Sequence, residues 1–291
     1  MRLAFLGTPE PAVASLRALV GAGHDVALVI TRADRRRGRG SSVSASPVKV
    51  AAEELGLRVA HRLADLNEVE VERAIVVAYG VLIPASLLEQ IPMLNVHFSL
   101  LPRWRGAAPV ERAILAGDLE TGVSVMTLDE GLDSGPVHLE HRVSIGEKTS
   151  SELLDEMAGV GAEALLKVLD SPDLLESPKA QQGEPTYAQK LTQETFHLNP
   201  SMSRELVLRT VRLGRAYTFI DEKRLRIEAA FAVESSVLAP GSVGLRDRNI
   251  VIGAQGGGVG LSRVQPEGSR SMSARDWWAG ARLDESTTRW S

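Results

Sequence analysis

The sequence predicts an α/β protein in which a Rossmann-like domain, built on a mostly parallel sheet, precedes a smaller, OB-like β-barrel domain. Short apolar runs typical of buried strands alternate with stretches whose apolar residues recur at helical spacing. Five short strand-like segments then crowd into residues 217–264. We therefore predict a first domain over 1–175, a linker over 176–200 and a second domain over 201–291.

The predicted strands of the first domain are short and apolar, and the first ends at a turn. The run over 2–7 stops at Gly7-Thr8-Pro9, and residues 9–20 then show an amphipathic helical pattern. Further strands are predicted over 26–30, 75–78, 94–96, 123–128 and 137–145, and further helices over 47–55, 109–116 and 150–169. Because strands alternate with helices, we expect a parallel sheet with helices on its faces.

The composition changes near residue 171, where closely spaced Ser-Pro and Gly-Glu-Pro segments are typical of a linker. A helix is predicted over 204–212. Five short segments bounded by Gly, Asp or Asn follow, over 217–220, 225–229, 241–245, 250–253 and 259–264. Strands this short and this numerous favour a small barrel of the OB type.

The composition also excludes several classes of protein. The chain has no cysteine, which excludes a disulfide scaffold, a thiolate zinc site, a catalytic thiol and an iron–sulfur cluster. No apolar run reaches the roughly 18 residues of a membrane span. The apolar stretch over 3–6 is too short for a signal peptide, so we expect a cytoplasmic protein without a membrane partner.

The charge is distributed unevenly along the chain. Residues 199–291 carry 14 Lys/Arg against 10 Asp/Glu, a net charge of +4, whereas the remaining residues carry 19 against 27, a net charge of −8. A basic second domain suits a polyanion bound at that end. Ordinary scatter accounts for the same difference, so the charge alone leaves both interpretations open.

Two polar side chains interrupt the apolar segment over 93–97. Asn95 and His97 are two residues apart, so on a strand they share one face. Pro102 soon stops regular pairing, which puts the pair near the carboxyl end of a strand, where open parallel sheets bind ligands. Asp133 lies in the loop Gly131-Leu-Asp-Ser-Gly135, where two glycines let the backbone turn sharply.

If these three side chains converge, they suit attack on a carbonyl carbon. An imidazole beside a carboxylate can hold or shuttle a proton near neutral pH, and an amide can donate to an oxyanion. The substrate would bring the nucleophile, because no covalent nucleophile is evident. From spacing alone, however, a structural interpretation is favoured: a histidine satisfied in the core, an asparagine capping a turn and an aspartate in a tight loop.

Other catalytic motifs are missing from the sequence. Gly7-Thr8-Pro9 lacks the further glycines of a dinucleotide fingerprint, and neither a phosphate-binding P-loop nor a Gly-x-Ser-x-Gly elbow occurs. His138 and His141 would face opposite sides of a strand, so we expect no metal site there.

An arginine-rich loop follows the second predicted strand. Residues 32–39 hold five arginines and one acid, among them Arg35, Arg36, Arg37 and Arg39. Such a loop at the edge of a catalytic cleft is suited to gripping the phosphates of a nucleic acid. A solvated run of charge explains it equally well.

The segment Asn95-Val-His97-Phe-Ser-Leu-Leu-Pro102 resembles the signature of enzymes that use 10-formyltetrahydrofolate. Those enzymes also carry a Gly-x-Asp loop about 36 residues past the histidine, the interval that separates His97 from Asp133. Within that superfamily the chain is similar to the methionyl-tRNA formyltransferase family. The similar segments span nearly the whole chain in order, at 7–10, 46–49, 77–80, 103–109, 116–122, 131–135, 186–191, 264–268 and 272–276.

The resemblance implies formyl transfer from 10-formyltetrahydrofolate to the α-amino group of methionyl initiator tRNA, without a metal. It implies that His97 polarises the formyl carbonyl and handles the proton, and that Asn95 hydrogen-bonds the tetrahedral oxyanion. Asp133 would set the charge of His97 and help to take the proton from the attacking amine.

The same resemblance implies two binding regions. We expect a monomer, although the sequence itself does not fix the oligomeric state. The folate would contact Ser99, Leu100, Leu101 and Pro102, with Val81 and Leu82 on the pterin side. The arginine loop matches in position a family loop that approaches the tRNA acceptor stem, and the second domain would hold the tRNA.

The sequence departs from the family pattern at two places after the linker. The family usually has an Asp-Trp pair and then Asn-Pro-x-Pro-Gly-Ala-Trp, whereas this chain has His197-Leu-Asn-Pro200 and Leu213-Gly-Arg-Ala-Tyr-Thr-Phe219. The departures concern tRNA docking and leave the catalytic motifs intact.

Two alternatives remain open at this point. The first is a formyltransferase for a small amine, such as an amino-sugar nucleotide or a ribonucleotide glycinamide, which would not need a basic barrel. The second is a non-catalytic RNA- or folate-binding module. The second alternative is disfavoured because a binding module has no need for all three of Asn95, His97 and Asp133.

Overall fold

The computed structural model of the protein describes residues 1–36, 43–234 and 238–291, and for residues 35, 36 and 43 only the backbone. The chain forms two compact units. The first comprises Met1–Val110, Leu119–Ile145 and Glu152–Lys190, and the second Glu111–Asp118, Gly146–Ser151 and Leu191–Ser291. Residues from the segment predicted as a linker, 176–200, therefore belong to both units.

The first unit is an α/β fold. Its strands, in chain order, are β1 (Arg2–Gly7), β2 (Asp25–Ile30), β3 (Arg35–Arg36), β4 (Val43–Ser44), β5 (Val59–Ala60), β6 (Arg73–Val77), β7 (Met93–His97), β8 (Arg105–Gly106), β9 (Glu120–Thr127), β10 (Val137–Ser144) and β11 (Tyr187–Ala188). The helices in the same part of the chain are α1 (Pro11–Gly21), α2 (Pro47–Glu54), α3 (Ala85–Leu88), α4 (Pro109–Ala116), α5 (Ser150–Asp170) and α6 (Pro172–Glu176).

A seven-stranded sheet organises this unit, in the order β10-β9-β7-β6-β1-β2-β5. The five strands from β7 to β5 run parallel, and β9 runs antiparallel to both β7 and β10. Strands β1, β6 and β7 are almost wholly buried because helices cover both faces of a parallel sheet, which explains their continuous apolar runs. The predicted Rossmann-like α/β class is confirmed.

Helix α2 shows how local sequence fixes an element. The Ser46 hydroxyl accepts a hydrogen bond from the backbone N–H of Lys49 at 3.0 Å, and Pro47 occupies the first helical position. These residues start the helix where the sequence predicts it. By contrast, the predicted strand over 75–78 ends one residue early, since Ala78 has a φ of 47° and cannot continue an extended strand.

The second unit is built on an antiparallel sheet. Its elements are α7 (Arg204–Arg212), β12 (Tyr217–Ile220), β13 (Lys223–Val233), β14 (Val243–Arg246), β15 (Asn249–Ala254), β16 (Gly257–Pro266), β17 (Met272–Ser273) and α8 (Ala274–Ala281). The strand order is β12-β13-β16-β15-β14, and β17 pairs with β16.

The last residues of the chain connect the two edges of this sheet. Trp290 pairs with Ile220 at the end of β12, and Arg289 pairs with Ser242 just before β14. The Trp290 side chain is buried, and its indole N–H donates to the carbonyl of Gly253 at 2.9 Å. The sheet thus curls into the barrel-like form that the short strands predict.

Two short elements of the second unit were not predicted. Helix α8 starts at Ser273, whose hydroxyl accepts from the N–H of Asp276 at 3.1 Å. Strand β17 is only two residues long, too short to give a periodic signal. Among the described residues, no helix is long and apolar enough to cross a membrane.

His138 ties three elements of the first unit together. Its Nδ1 lies 2.8 Å from the carbonyl oxygen of Leu174 in α6, and its Nε2 lies 2.8 Å from the hydroxyl of Thr127 at the end of β9. Because a carbonyl can only accept, Nδ1 carries the hydrogen and Nε2 accepts from Thr127. Burial lowers the pKa of His138 below the ordinary histidine value.

We predict that His138 makes the stability of the protein depend on pH. The unfolded chain binds a proton at this residue below about pH 6.5, whereas the folded chain resists protonation, so its contribution is complete above that pH and is lost as the pH falls. His138→Gln should therefore flatten the pH dependence of the urea midpoint between roughly pH 7 and 5. His141→Gln, at an exposed position of the same strand, is the control. Equal slopes for His138→Gln and the wild type would contradict the prediction.

Candidate active site

The candidate active site lies at the carboxyl end of β7. Strands β6 and β7 run parallel, so the segments that follow them reach the same edge of the sheet. His97 is the last residue of β7 and Asn95 stands two residues earlier, which puts both side chains on one face. Both residues are buried, Asn95 being 8% and His97 6% exposed.

The ring of His97 is held by the backbone that follows it. Its Nε2 lies 2.9 Å from the carbonyl oxygen of Trp104, and Trp104 in turn donates its N–H to the hydroxyl of Thr186 at 2.9 Å. Since a carbonyl can only accept, Nε2 carries a hydrogen. The other ring nitrogen, Nδ1, faces Asp133, with 3.7 Å between Nδ1 and Oδ2.

Asp133 is positioned by its own backbone and by strand β8. It has a φ of 47°, a left-handed conformation that Asp tolerates better than most residues. Its Oδ2 accepts a hydrogen bond of 2.7 Å from the backbone N–H of Gly106. Position 106 requires a glycine for two reasons. Its φ is 118°, and a Cβ there would lie 2.9 Å from the carbonyl oxygen of Ala188.

The two glycines of the Asp133 loop have a different role from the one predicted. The left-handed residue is Asp133, and neither glycine has a positive φ. A Cβ on Gly135 would lie 2.0 Å from the carbonyl oxygen of Thr127, and one on Gly131 would lie 2.0 Å from the hydroxyl oxygen of Ser134. The glycines therefore permit close packing, and Asp133 itself makes the turn.

Gln181 supports the loop from outside the predicted catalytic region. Its amide nitrogen donates to the carbonyl oxygens of Asp133 and Gly135, each at 2.8 Å. Its amide oxygen accepts two hydrogen bonds from the guanidinium of Arg105, at 3.0 and 2.6 Å. A single glutamine in a linker-like segment gives no sequence signal, so sequence reasoning missed it.

Other supporting residues did carry a signal. Trp104 and Gly106 lie in the segment 103–109, and Thr186 in the segment 186–191, both of which resemble family motifs. The structure explains their proximity, because β8 and β11 pair with each other. The two segments together support the His97 ring and the Asp133 carboxylate.

The residues predicted to contact folate have two kinds of environment. Ser99 and Leu101 are buried, and the Ser99 hydroxyl donates to the carbonyl of Arg103 at 2.6 Å. Val81 and Leu82, which follow β6, are 44% and 87% exposed. Leu100 and Pro102 are partly exposed.

The predicted arginine loop falls mostly outside the described residues. Arg37 and Arg39 lie there entirely, and of Arg35 and Arg36 only the backbone is described, as strand β3 paired with β4. Of the two histidines that the sequence analysis weighed as a pair, His138 is buried and His141 exposed. Within the described ranges, no three His, Cys, Asp or Glu side chains gather as possible metal ligands.

A buried imidazole that faces a carboxylate at the carboxyl end of a parallel strand is suited to proton transfer in a Rossmann-like enzyme. The chain belongs to the formyl transferase family: residues 1–169 match the profile described as formyl transferase, and residues 190–282 match the one described as formyl transferase, C-terminal domain. It is 41% identical to methionyl-tRNA formyltransferase of Clavibacter sepedonicus, over 96% of this chain and 97% of that protein. The resemblance drawn from the motifs is confirmed.

Solved structures with low sequence identity share the fold. The N-formyltransferase from Helicobacter canadensis, solved with folinic acid and dTDP-3-aminofucose, has a TM-score of 0.68 at 17% identity, covering 91% of this chain and 98% of that one. HypX from Aquifex aeolicus in complex with tetrahydrofolic acid has a TM-score of 0.64 at 18% identity, over 96% of this chain. The present chain spans about half the length of HypX, 47%.

Proposed function

We propose that this protein transfers the formyl group of 10-formyltetrahydrofolate to the α-amino group of methionyl initiator tRNA, for translation initiation. The observation that carries the proposal is the similarity to methionyl-tRNA formyltransferase of Clavibacter sepedonicus, which extends over 96% of this chain. The imidazole and carboxylate that face each other in the first unit supply groups suited to that reaction.

The reaction moves one carbon between two nitrogens. The amine of the substrate attacks the formyl carbon, a C–N bond forms, and the carbonyl oxygen becomes an oxyanion. The bond from that carbon to the folate nitrogen then breaks, the new amide loses its extra proton, and the folate nitrogen gains one. The enzyme must stabilise the oxyanion and move the proton.

We assign these tasks to Asn95, His97 and Asp133. The Asn95 amide donates to the oxyanion. Since Nε2 of His97 is engaged by the Trp104 carbonyl, Nδ1 is the nitrogen that exchanges a proton and polarises the carbonyl. The 3.7 Å between Nδ1 and Asp133 exceeds a hydrogen bond, so the carboxylate acts on the ring through its charge and helps to take the proton of the amine.

The folate fits the edge of the sheet beside His97. Val81 and Leu82 offer exposed apolar surface there, which suits the pterin ring. The segment of Ser99, Leu100, Leu101 and Pro102 follows His97 directly. In this assignment the buried Ser99 and Leu101 hold the segment in place, while Leu100 and Pro102 contact the folate.

The test is a transfer assay with purified protein and labelled 10-formyltetrahydrofolate. Methionyl initiator tRNA is offered in one reaction and an amino-sugar nucleotide in another. Formylation of the tRNA is the expected result. Transfer to the sugar alone would overturn the proposal in favour of a small-amine formyltransferase.

We predict that the arginine loop contributes to binding of the tRNA. Replacing Arg35, Arg36, Arg37 and Arg39 by Ala should raise KM for the tRNA and leave KM for the folate unchanged, because each lost phosphate contact weakens a salt-dependent attraction. The slope of log KM against log salt should fall by about 0.7 to 0.9 per contact. An unchanged slope of log KM against log salt would show that the loop is a solvated run of charge that does not contact the tRNA.

The protein is further proposed to act as a monomer in the cytoplasm. The three assigned catalytic residues come from one chain, so the chemistry needs no second copy. Light scattering coupled to gel filtration tests the first point, and a dimeric mass for the active species would contradict it. Fractionation of the cells that produce the protein tests the second.

A further inference from the structure

A pocket in the second unit adjoins the two segments in which the chain departs from the family pattern. It has a volume of about 320 Å³ and is lined by Leu191, Thr192, Gln193, Phe196, Arg215, Tyr217 and Arg224. His197 lies beside it, with its ring stacked 5.2 Å from that of Tyr217. Segments 197–200 and 213–219, apart in the sequence, thus meet at one place.

Aromatic rings hold two cationic side chains at this pocket. The guanidinium carbon of Arg215 lies 4.6 Å from the centre of the Phe196 ring, and that of Arg224 lies 4.1 Å from the centre of the Tyr217 ring. Both rings are buried, whereas both arginines are exposed. A guanidinium stacked on a fixed ring loses rotamer freedom before any ligand arrives, and its N–H donors at the edge remain available.

No anionic side chain within residues 1–36, 43–234 and 238–291 pairs with either guanidinium. In the part of the chain that the structure describes, neither Arg215 nor Arg224 forms an ion pair or a side-chain hydrogen bond. Two other arginines of this unit do: the partly exposed Arg246 pairs with Glu285, and the exposed Arg226 donates to the carbonyl of Gly214. Two fixed, unpaired cations beside a small polar cavity are the arrangement that binds a phosphate.

We infer that this pocket binds one phosphodiester group of the RNA substrate, with Arg215 and Arg224 as its donors. The inference rests on the proposed function, since it names the part of the tRNA that the second unit grips. A planar guanidinium offers paired N–H donors to phosphate oxygens. The pocket would therefore position the RNA and leave formyl transfer itself to the first unit.

The test uses the full-length protein with Arg215→Gln, Arg224→Gln and the double variant. Glutamine keeps much of the stem over the ring and removes the charge. Arg270→Gln is the matched control, because Arg270 is an exposed arginine of the same unit outside the pocket. The measurement is the Kd for methionyl initiator tRNA over a range of salt concentrations, together with kcat at saturating tRNA.

We expect the double variant to bind the tRNA about tenfold more weakly and to lower the salt slope by about 0.7 to 0.9, with kcat retained. The Arg270→Gln control should show a smaller change. If the double variant matches the control in both Kd and slope while the wild type formylates the tRNA, the pocket inference is overturned and the proposed function stands. A wild type that does not formylate the tRNA would instead remove the proposed function.

A second measurement does not depend on the folding of the variants. Ethylation interference on the wild-type complex should reveal a phosphate whose modification blocks binding, and bound tRNA should protect Arg215 and Arg224 of the wild type from phenylglyoxal. If inorganic phosphate protects both arginines from phenylglyoxal and the tRNA does not, the pocket is a site for a free anion and the RNA assignment fails.

Discussion

His97→Ala is expected to lower kcat for formyl transfer by roughly two to four orders of magnitude while the folate still binds. The substitution removes Nδ1, the ring nitrogen that faces Asp133 and is free of the Trp104 carbonyl. A positioned acid–base group typically contributes about 10²- to 10⁴-fold to a rate. Because the interaction that is lost stabilises only the transition state, kcat and kcat/KM should fall together.

This prediction can be separated from a loss of folding. His97 is buried, so its removal also leaves a small cavity and takes away the hydrogen bond to the Trp104 carbonyl. The measurement therefore combines single-turnover kinetics, folate binding by fluorescence titration and the Tm of the variant. His141→Ala, at an exposed histidine of the same unit, is the control. Turnover near the wild-type value in a folded His97→Ala variant would show that His97 has no catalytic role.

Asp133→Asn is expected to lower kcat by at least about a hundredfold with little change in the fold. Asparagine fits the same space and also tolerates the left-handed φ of 47° at this position. Its amide oxygen can still accept from the N–H of Gly106. What the variant lacks is the negative charge 3.7 Å from the imidazole of His97.

The control for this variant is Asp155→Asn, at an exposed carboxylate on α5 in the same unit. Both variants remove one negative charge, and only one removes it beside His97. The decisive measurement is the pH profile of kcat, which should change in shape for Asp133→Asn and not for Asp155→Asn. Identical profiles and rates in the two variants would show that the carboxylate is structural.

The positions of most elements could be predicted because each depends on nearby residues. The apolar run at β1 and the cap at Ser46 are local signals, because they do not depend on how the rest of the chain is arranged. The direction of β9 is different. An apolar run shows that a strand is buried but not which neighbour it pairs with, so the antiparallel edge of the sheet could not be read from it.

The candidate site divides in the same way. The motif around His97 and the loop around Asp133 identified both residues, whereas the choice between a catalytic and a structural interpretation depended on resemblance. Gln181 was out of reach, because its hydrogen bonds join residues 48 and 46 positions apart. Spacing in a sequence carries no information on such contacts unless the path of the chain is known.

By itself, then, the sequence determined which residues are present, which segments form strands and helices, and which family motifs occur, since all of these are local properties. Only the tertiary structure decided which nitrogen of His97 faces Asp133, that Asp133 itself makes its turn, and that Arg215 and Arg224 share one pocket. The physical reason is that hydrogen bonds and ring stacking act over a few ångströms, and only the fold brings distant residues to that range.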